Sequence, residues 1–513
     1  MRPARGRYDA VVVGAGHNGL VCATYLARAG VSTLVLEQSE NVGGAAITEE
    51  PWPGWRVSIA SYVCSLLHPQ IIDELALRSF GYDSYRKDPA SFTPLLDGRS
   101  LLLSRDAEAN AREIAAFDPA DVQGFEAFER ERLRLGAVLA DAFDVADPRD
   151  ARIDPITRAT LEGSAADLVE RYVKTPVLQA DLVNDGLIGT YAGPRDAGTA
   201  YVLAYHNAGR AFGTQGTWGF VRGGMGTISR ALLGAATAAG VQVRTGARVS
   251  SVLVRQGRAV GVVLADGAEV EADAVLSNAD PVVTFGRLLA EEHVPQPLRE
   301  RLARWRIEGV SLKVNFALGE LPNFTSRPGT QPQAHHRASL HVAPTIDYLQ
   351  RACDDARAGS VSREPLIEGF MQTPTEPDLV PPGKHVLSIF AQYFPYNRAD
   401  GPWTAGQRDE AADSIVASIA QFAPNLPSAI EHRQILAPPD LEAKIGLTGG
   451  HIFHGELLPG QILEDRFTAR TPIAGLYLCG SGAHPGGCVS GIPGRHAAVA
   501  AQTDLRARRE VPA

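Results

Sequence analysis

Cysteine is scarce in this chain. Five residues of 513 (Cys22, Cys64, Cys353, Cys479, Cys488) are odd in number, widely spread and free of any C-x-x-C pair, so neither a disulfide framework nor a zinc site is expected. Reducing, cytoplasmic surroundings fit that usage. Positive charge is also short: 49 Lys+Arg against 58 Asp+Glu leave a net charge of −9, which offers no general attraction for nucleic acid. No window of about 20 residues lacks charges and helix breakers, so a membrane-crossing helix is not expected. Peripheral membrane contact through one amphipathic face stays open. The basic start, Met1 to Arg7, precedes an apolar stretch as a secretory signal would. That stretch, however, is a short β-branched run ending in glycines and not in a small-residue cleavage site. Neither a Ser-His-Asp order nor a paired-carboxylate spacing stands out, so hydrolysis is not supported.

Glycine is what the chain has in excess: 51 residues, about a tenth of the total against a usual ~7%, gathered in a few short runs. The first run has a full structural context. Val11-Val12-Val13 reads as a buried parallel strand, Gly14-Ala15-Gly16-His17-Asn18-Gly19 follows at once, Leu20 to Ala29 reads as a helix closed by Gly30, and Val31 to Leu36 is a second strand ending in Glu37. This is the dinucleotide fingerprint. Gly14 permits the tight turn, Gly16 lets backbone approach a pyrophosphate, Gly19 lets helix and strand pack, and the helix N-terminus faces negative charge. Glu37 is placed to accept hydrogen bonds from an adenosine ribose.

A second glycine loop, Asn41-Val42-Gly43-Gly44-Ala45-Ala46-Ile47-Thr48, comes just past Glu37. With it the sequence resembles the flavin oxidoreductases of the amine oxidase and phytoene desaturase superfamily, in which a Gly-Gly pair after the ribose carboxylate runs along the FAD pyrophosphate. The resemblance implies that role for Gly43 and Gly44, and puts Ala45 where an arginine often stands. There is no second G-x-G-x-x-G in strand–turn–helix context, so a separate NAD domain is not expected and FAD alone is, bound non-covalently. Further along, Ile228 to Ala239 reads as a helix, Val241 to Arg244 and Val249 to Val254 as strands, Val260 to Val270 as a hairpin turning at Asp266-Gly267, and Ala274 to Ser277 as a strand entering the turn Asn278-Ala279-Asp280-Pro281. The resemblance implies adenine contact for Val249.

The closing segment, Gly475 to Arg495, gives a short strand, a long glycine loop and a helix from about Ile492 to Asp504. A helix N-terminus behind a bare-backbone loop stabilises the negative charge a reduced flavin acquires. This segment, together with Gly216 to Gly226 and Gly449 to Leu457, is most similar to the family called pyridine nucleotide-disulfide oxidoreductase domain-containing protein 2. The resemblance spans nearly the entire chain and implies cofactor contacts for Gly480, Ser481, Gly491 and Ile492. Cys488 departs from it, since glycine is usual there. The redox cysteine pair that the family's name suggests is absent.

Single residues leave alternatives. His484 either serves catalysis beside the flavin or is a turn histidine bonded to backbone. His454, the second catalytic candidate, and His451 line a substrate cavity or pack structurally; without an acidic or cysteine cluster beside them no metal is expected. Cys479 and Cys488 raise a flavin thioether, which is not expected, and Cys22 is core. Arg222 faces the cofactor or is a surface charge. Trp218, Tyr191, Tyr201, Tyr205 and His206 form a tunnel wall or plain core.

The fold expected is α/β: a Rossmann-like FAD-binding domain of the glutathione-reductase type, discontinuous over 1–105, 220–285 and 440–513, with an inserted α+β substrate domain over 106–219 and 286–439. The function expected is dehydrogenation of a largely apolar small molecule, a polyene or other C–C substrate, by hydride delivery to flavin N5, with electrons leaving to O2 or a quinone. Two other readings stand beside it: flavin amine oxidation at a C–N bond, and a non-catalytic interaction protein that keeps FAD as a structural element. Oligomeric state is not written in these motifs.

Overall fold

Residues 7–510 are described by the computed structural model; the basic start, residues 1–6, lies outside them. Two sheets of seven strands organise the chain. The first is built from the fingerprint outward. Arg7–Val13 pairs in parallel with Thr33–Leu36 on one side and Glu269–Ser277 on the other, and Gln242–Arg244 extends it beyond Thr33–Leu36. Tyr8 and the run from Ala10 to Val13 are all buried, as expected of a parallel sheet covered on both faces. The helices His17–Arg28, Gly226–Ala238 and Ile492–Glu510 bury Leu20, Val21, Ile228, Leu232, Ala497 and Ala501 against one face. The antiparallel pair Val249–Arg255 and Arg258–Leu264 continues the same sheet beyond Glu269–Ser277, and Val252, Ala259 and Val262 share a core with Val11, Val13 and Leu34.

Glu269–Ser277 is one long strand, where the sequence suggests a hairpin arm and a separate strand. Its first half pairs with Arg258–Leu264 and its second half with Leu476–Leu478. That switch of partner brings the closing glycine loop to the carboxyl end of the fingerprint strand. Ligands of open parallel sheets bind at this edge.

The second sheet runs in the order Ile430–Leu436, Ser311–Leu318, His385–Gln392, Leu366–Phe370, Ser339–Val342, Ser91–Pro94, Ser100–Leu103. Its last two strands fall within 1–105, the range assigned to the nucleotide unit on sequence. Ser91 and Phe92 pair instead with Ser339 and Leu340, so the boundary lies earlier. At the other end, Leu298 and Trp305 join the core of the nucleotide unit and carry it past 285. Strict alternation gives this sheet two unlike faces. Leu312, Val314, Phe316, Leu340, Ile367, Leu387 and Ile389 point into an apolar core with Ile415 and Ile419 of helix Ala405–Ala420. Ser311, Lys313, Asn315, Ser339, His341, Glu368 and Ser388 occupy the alternate positions, and all but Ser388 are buried. A helical layer led by Asp121–Asp144 lies over this polar side, with Phe125, Phe128, Leu135 and Leu139 in its core.

Candidate active site

A single cavity of about 1190 Å³ extends from the fingerprint loop to the polar face of the second sheet. It exceeds the roughly 300–1,000 Å³ of an ordinary ligand site and has room for a dinucleotide and a second molecule together. No group of three or more His, Cys, Asp or Glu side chains among the described residues is arranged to hold a metal.

At the nucleotide end, Gly14, Gly16, Glu37, Gly44, Ala45 and Val249 all line the wall. Helix His17–Arg28 begins at Gly16 with no capping side chain and no acid in its first turn, which leaves its first N–H groups for an anionic ligand. The Glu37 carboxylate accepts from Ala15 N at 2.7 Å and Ser39 N at 2.9 Å. Those bonds tie the glycine turn to the end of the second strand and leave lone pairs on both oxygens for ribose hydroxyls. Asn278 is a key residue to which the sequence alone assigns no role. It lines the cavity, its N donates to Val13 O at 2.8 Å, and its side chain would lie 2.6 Å from a Cβ at Gly16. The signal for it was the strand-to-turn step Ser277-Asn278, which the long strand Glu269–Ser277 delivers to the glycine loop.

Five residues expected to hold the cofactor do not line the cavity and instead fix its frame. A Cβ at Gly19 would come within 2.2 Å of Gly14 O, one at Gly480 within 2.3 Å of Asn278 O, and one at Gly491 within 2.8 Å of Ile71. Gly43 N donates to Ala15 O at 2.9 Å, which docks the second glycine loop on the first. Ile492 starts the last helix and is buried. Ser481 does line the cavity, with its hydroxyl accepting from Asn18 Nδ2 at 3.1 Å. The residues present suit FAD. Around bare glycine backbone and a ribose-type carboxylate, His17 Nε2, Asn18 Oδ1 and His454 Nδ1 are buried polar atoms with no protein partner, and His17, Asn18 and His454 all border the cavity. Buried polar atoms ordinarily have one.

The histidines divide. His454 lines the cavity with a left-handed backbone (φ 57°), and burial pushes its imidazole down to about 4, so it is neutral. Burial and nearby His454 do the same to His17, also to about 4. His484 is placed elsewhere. Its Nε2 lies 3.1 Å from Ala142 O and its ring stacks on His496. Burial and the neighbouring His496 push it down to about 3. It is outside the cavity wall and fits the turn-histidine alternative; a catalytic role is not supported by its position. His451 contacts Glu456 at 3.3 Å. Arg222 is a surface charge, 2.9 Å from Asp83 and over the Tyr85 ring. Trp218 and His206 reach the cavity, whereas Tyr191, Tyr201 and Tyr205 pack in the helical layer. Cys488 borders the cavity, but burial pushes its thiol up to about 12, which keeps it protonated.

The substrate end holds the residues that sequence reasoning missed. Register places Lys313, Phe390, Glu368 and His341 in one row across four neighbouring strands, all on the cavity wall. His341 Nδ1 lies 2.8 Å from Asp181 and Nε2 3.3 Å from Glu368. Burial opposes its charge, yet the two carboxylates outweigh it and raise the imidazole to about 9. Tyr62 donates to Glu368 at 3.3 Å and tilts over Phe370, ring centroids 4.6 Å apart. Lys87 donates to the Ser339 hydroxyl. The signal was present as the alternation Ser-Leu-Lys-Val-Asn-Phe and Ser-Leu-His-Val.

Comparison with known proteins agrees with this geometry. The family described as flavin containing amine oxidoreductase matches residues 19–494. Pyridine nucleotide-disulfide oxidoreductase domain-containing protein 2 of Mus musculus is 39% identical over 97% of this chain and 94% of its own length. The lycopene-forming phytoene desaturase of Pseudescherichia vulneris is 28% identical over 96% of this chain and 98% of its own. Among solved structures, putrescine oxidase bound to putrescine superposes with a TM-score of 0.63 at 17% identity, over 98% of this chain and 99% of that one. The chain therefore belongs to the flavin-containing amine oxidoreductase family and is an FAD-dependent oxidoreductase.

Proposed function

We propose that this enzyme dehydrogenates a C–C bond of a largely apolar small molecule, with O2 or a quinone taking the electrons. The observation that carries the reading is the continuity of the cavity from the glycine loops to the second sheet. FAD, when bound, supplies the hydride acceptor, and the protein's part is to bind, orient and exclude water. Gly14, Gly16, Glu37, Gly44 and Val249 would hold the dinucleotide. Leu66, Leu103, Phe125 and Ile188 give the substrate arm apolar walls. Neutral His17 and His454 add no charge to the part of the cavity wall that they line at physiological pH. The relatives support C–C chemistry: the phytoene desaturase and a hydroxyneurosporene desaturase of Cereibacter sphaeroides, 30% identical, each align over nearly the whole chain.

Amine oxidation is the second reading, favoured by the aromatic pair Tyr62 and Phe370 on the cavity wall. Anaerobic mixing of the holoenzyme with terpenes and polyenes in one series and with primary amines in another separates the two. Flavin bleaching by the hydrocarbons is expected. Bleaching by amines alone would transfer the assignment.

A further inference from the structure

The polar face of the second sheet gathers charge at the His341 end of its row. His341 stands between two carboxylates, its Nδ1 2.8 Å from Asp181 and its Nε2 3.3 Å from Glu368. Asp181 also accepts from the hydroxyls of Ser91 and Thr93, so both of its oxygens are engaged. Glu368 is 5% exposed and less fully used. The Tyr62 hydroxyl reaches it only at 3.3 Å, beyond the roughly 2.5–3.0 Å of a good O–H···O bond, and lone pairs remain on the carboxylate.

Lys87 comes to the same place from the segment ahead of strand Ser91–Pro94. Its ammonium donates to the Ser339 hydroxyl and lies 5.0 Å from the centre of the Phe370 ring. Burial holds its amine below the ordinary lysine value, and Glu368, Asp185 and Asp181 oppose that shift. The lysine ion pairs among the described residues belong to Lys384 and Lys444, so Lys87 faces these carboxylates without touching one. Two of its three N–H donors are left for the cavity it lines. The carboxylates of Asp181, Asp185 and Glu368 thus meet two cations, His341 and Lys87, all on the cavity wall; Lys313 lies two strands from Glu368 along the row. A carboxylate head entering here meets an excess of negative charge, and an ammonium head gives Lys87 nothing to donate to. A hydroxyl serves both sides, its O–H donating to Glu368 and its oxygen accepting from Lys87.

We propose that Lys87 and Glu368 together recognise a hydroxyl group of the substrate, which makes the substrate an alcohol with a hydrocarbon body. The inference rests on the reading of this cavity as the substrate site. The hydroxyl is a handle that undergoes no bond change. A site built around an O–H rejects an isomer that lacks it, because the buried polar groups of the site are then left unpaired.

The test titrates the FAD-loaded protein, by calorimetry and by the flavin's visible absorbance, with decanol, its isomer 1-methoxynonane, and decylamine. Decanol is expected to bind at least tenfold more tightly than 1-methoxynonane, which can accept from Lys87 but has no O–H for Glu368, and more tightly than decylamine. Glu368→Met is expected to bring the two isomers to roughly equal affinity, since it removes the acceptor that only decanol uses. Lys87→Met is expected to weaken both isomers, and Lys87→Arg, which keeps N–H donors, to restore them. The FAD content of each variant reports that its fold is intact, and if a variant loses FAD the wild-type ratio of the two isomers still decides. Equal affinity of wild type for the isomers, or an undiminished preference for decanol in Glu368→Met, overturns the hydroxyl recognition and leaves the cavity reading standing. Tightest binding by decylamine gives the site to a cationic head and also overturns it. Binding of no probe to protein that retains FAD removes the cavity reading and the recognition with it.

Discussion

Replacing Glu37 by alanine is the perturbation that bears most directly on cofactor placement. The carboxylate holds Ala15 N at 2.7 Å and Ser39 N at 2.9 Å, and it faces the cavity at the end of the second strand. Each hydrogen bond to a charged group contributes about 1.5–3 kcal/mol. Were the carboxylate to hold two ribose hydroxyls, their loss would weaken FAD by about 3–6 kcal/mol, or roughly 10²- to 10⁴-fold at 1.4 kcal/mol per decade. The assay titrates apoprotein with FAD and, separately, with FMN, which has no adenosine ribose. Glu37→Ala should lose FAD affinity while its FMN affinity stays within a few-fold of wild type. Glu37→Gln, which keeps a carbonyl acceptor for one backbone N–H, should fall between. If Glu37→Ala binds FAD as wild type does, the carboxylate does not meet the ribose. If it loses FAD and FMN equally, its role is only to shape the turn.

Gly19→Ala sets a Cβ 2.2 Å from Gly14 O, which is backbone and cannot swing aside; denaturant unfolding should show at least ~1–3 kcal/mol of lost stability, and an unchanged midpoint would contradict the packing described. His484→Ala should leave the rate of flavin reduction unchanged in stopped flow and cost about 1–3 kcal/mol of stability through the lost contact with Ala142 O; slowed reduction at full FAD content would return His484 to catalysis. His341 is raised to about 9 from an ordinary 6.5, so its protonation stabilises the fold fully below about pH 6.5, and that contribution disappears as pH climbs through 9. The shift is worth about 3 kcal/mol. The stability gap between wild type and His341→Gln should therefore be widest below pH 6.5 and close by that order of magnitude toward alkaline pH, whereas a gap independent of pH would mean the imidazole is not held charged.

The nucleotide unit was legible because its signals are local. Val11 to Val13, the glycines and Glu37 lie within one strand–helix–strand unit, and a backbone turn needs only its own residues to declare itself. Glycines that line a ligand and glycines that let backbone pack on backbone read alike in sequence, which is why Gly19, Gly43, Gly480 and Gly491 emerge as framework while Gly14, Gly16 and Gly44 reach the cavity. His484 shows the same limit: a long loop does not say which of its side chains turn inward. The row from Lys313 to His341 was opaque for another reason. Its members come from four strands spread over residues 311–392, and only strand register puts them side by side. The alternation within each strand was visible; the sheet that aligns them was not. Ser91–Pro94 and Ser100–Leu103 crossed the expected boundary because edge strands join a sheet by pairing, which composition does not record.

The central claim is that FAD in this cavity takes hydride from a hydrocarbon chain and not from an amine or a nicotinamide. Its most direct test is anaerobic reduction of the purified flavoprotein, followed by visible absorbance, with terpenes and polyenes, their hydroxyl-bearing analogues, primary amines and NADH in parallel. The account predicts bleaching by one or more of the hydrocarbon-chain compounds and none by amines or NADH. Bleaching by amines alone, or rapid bleaching by NADH, would contradict it.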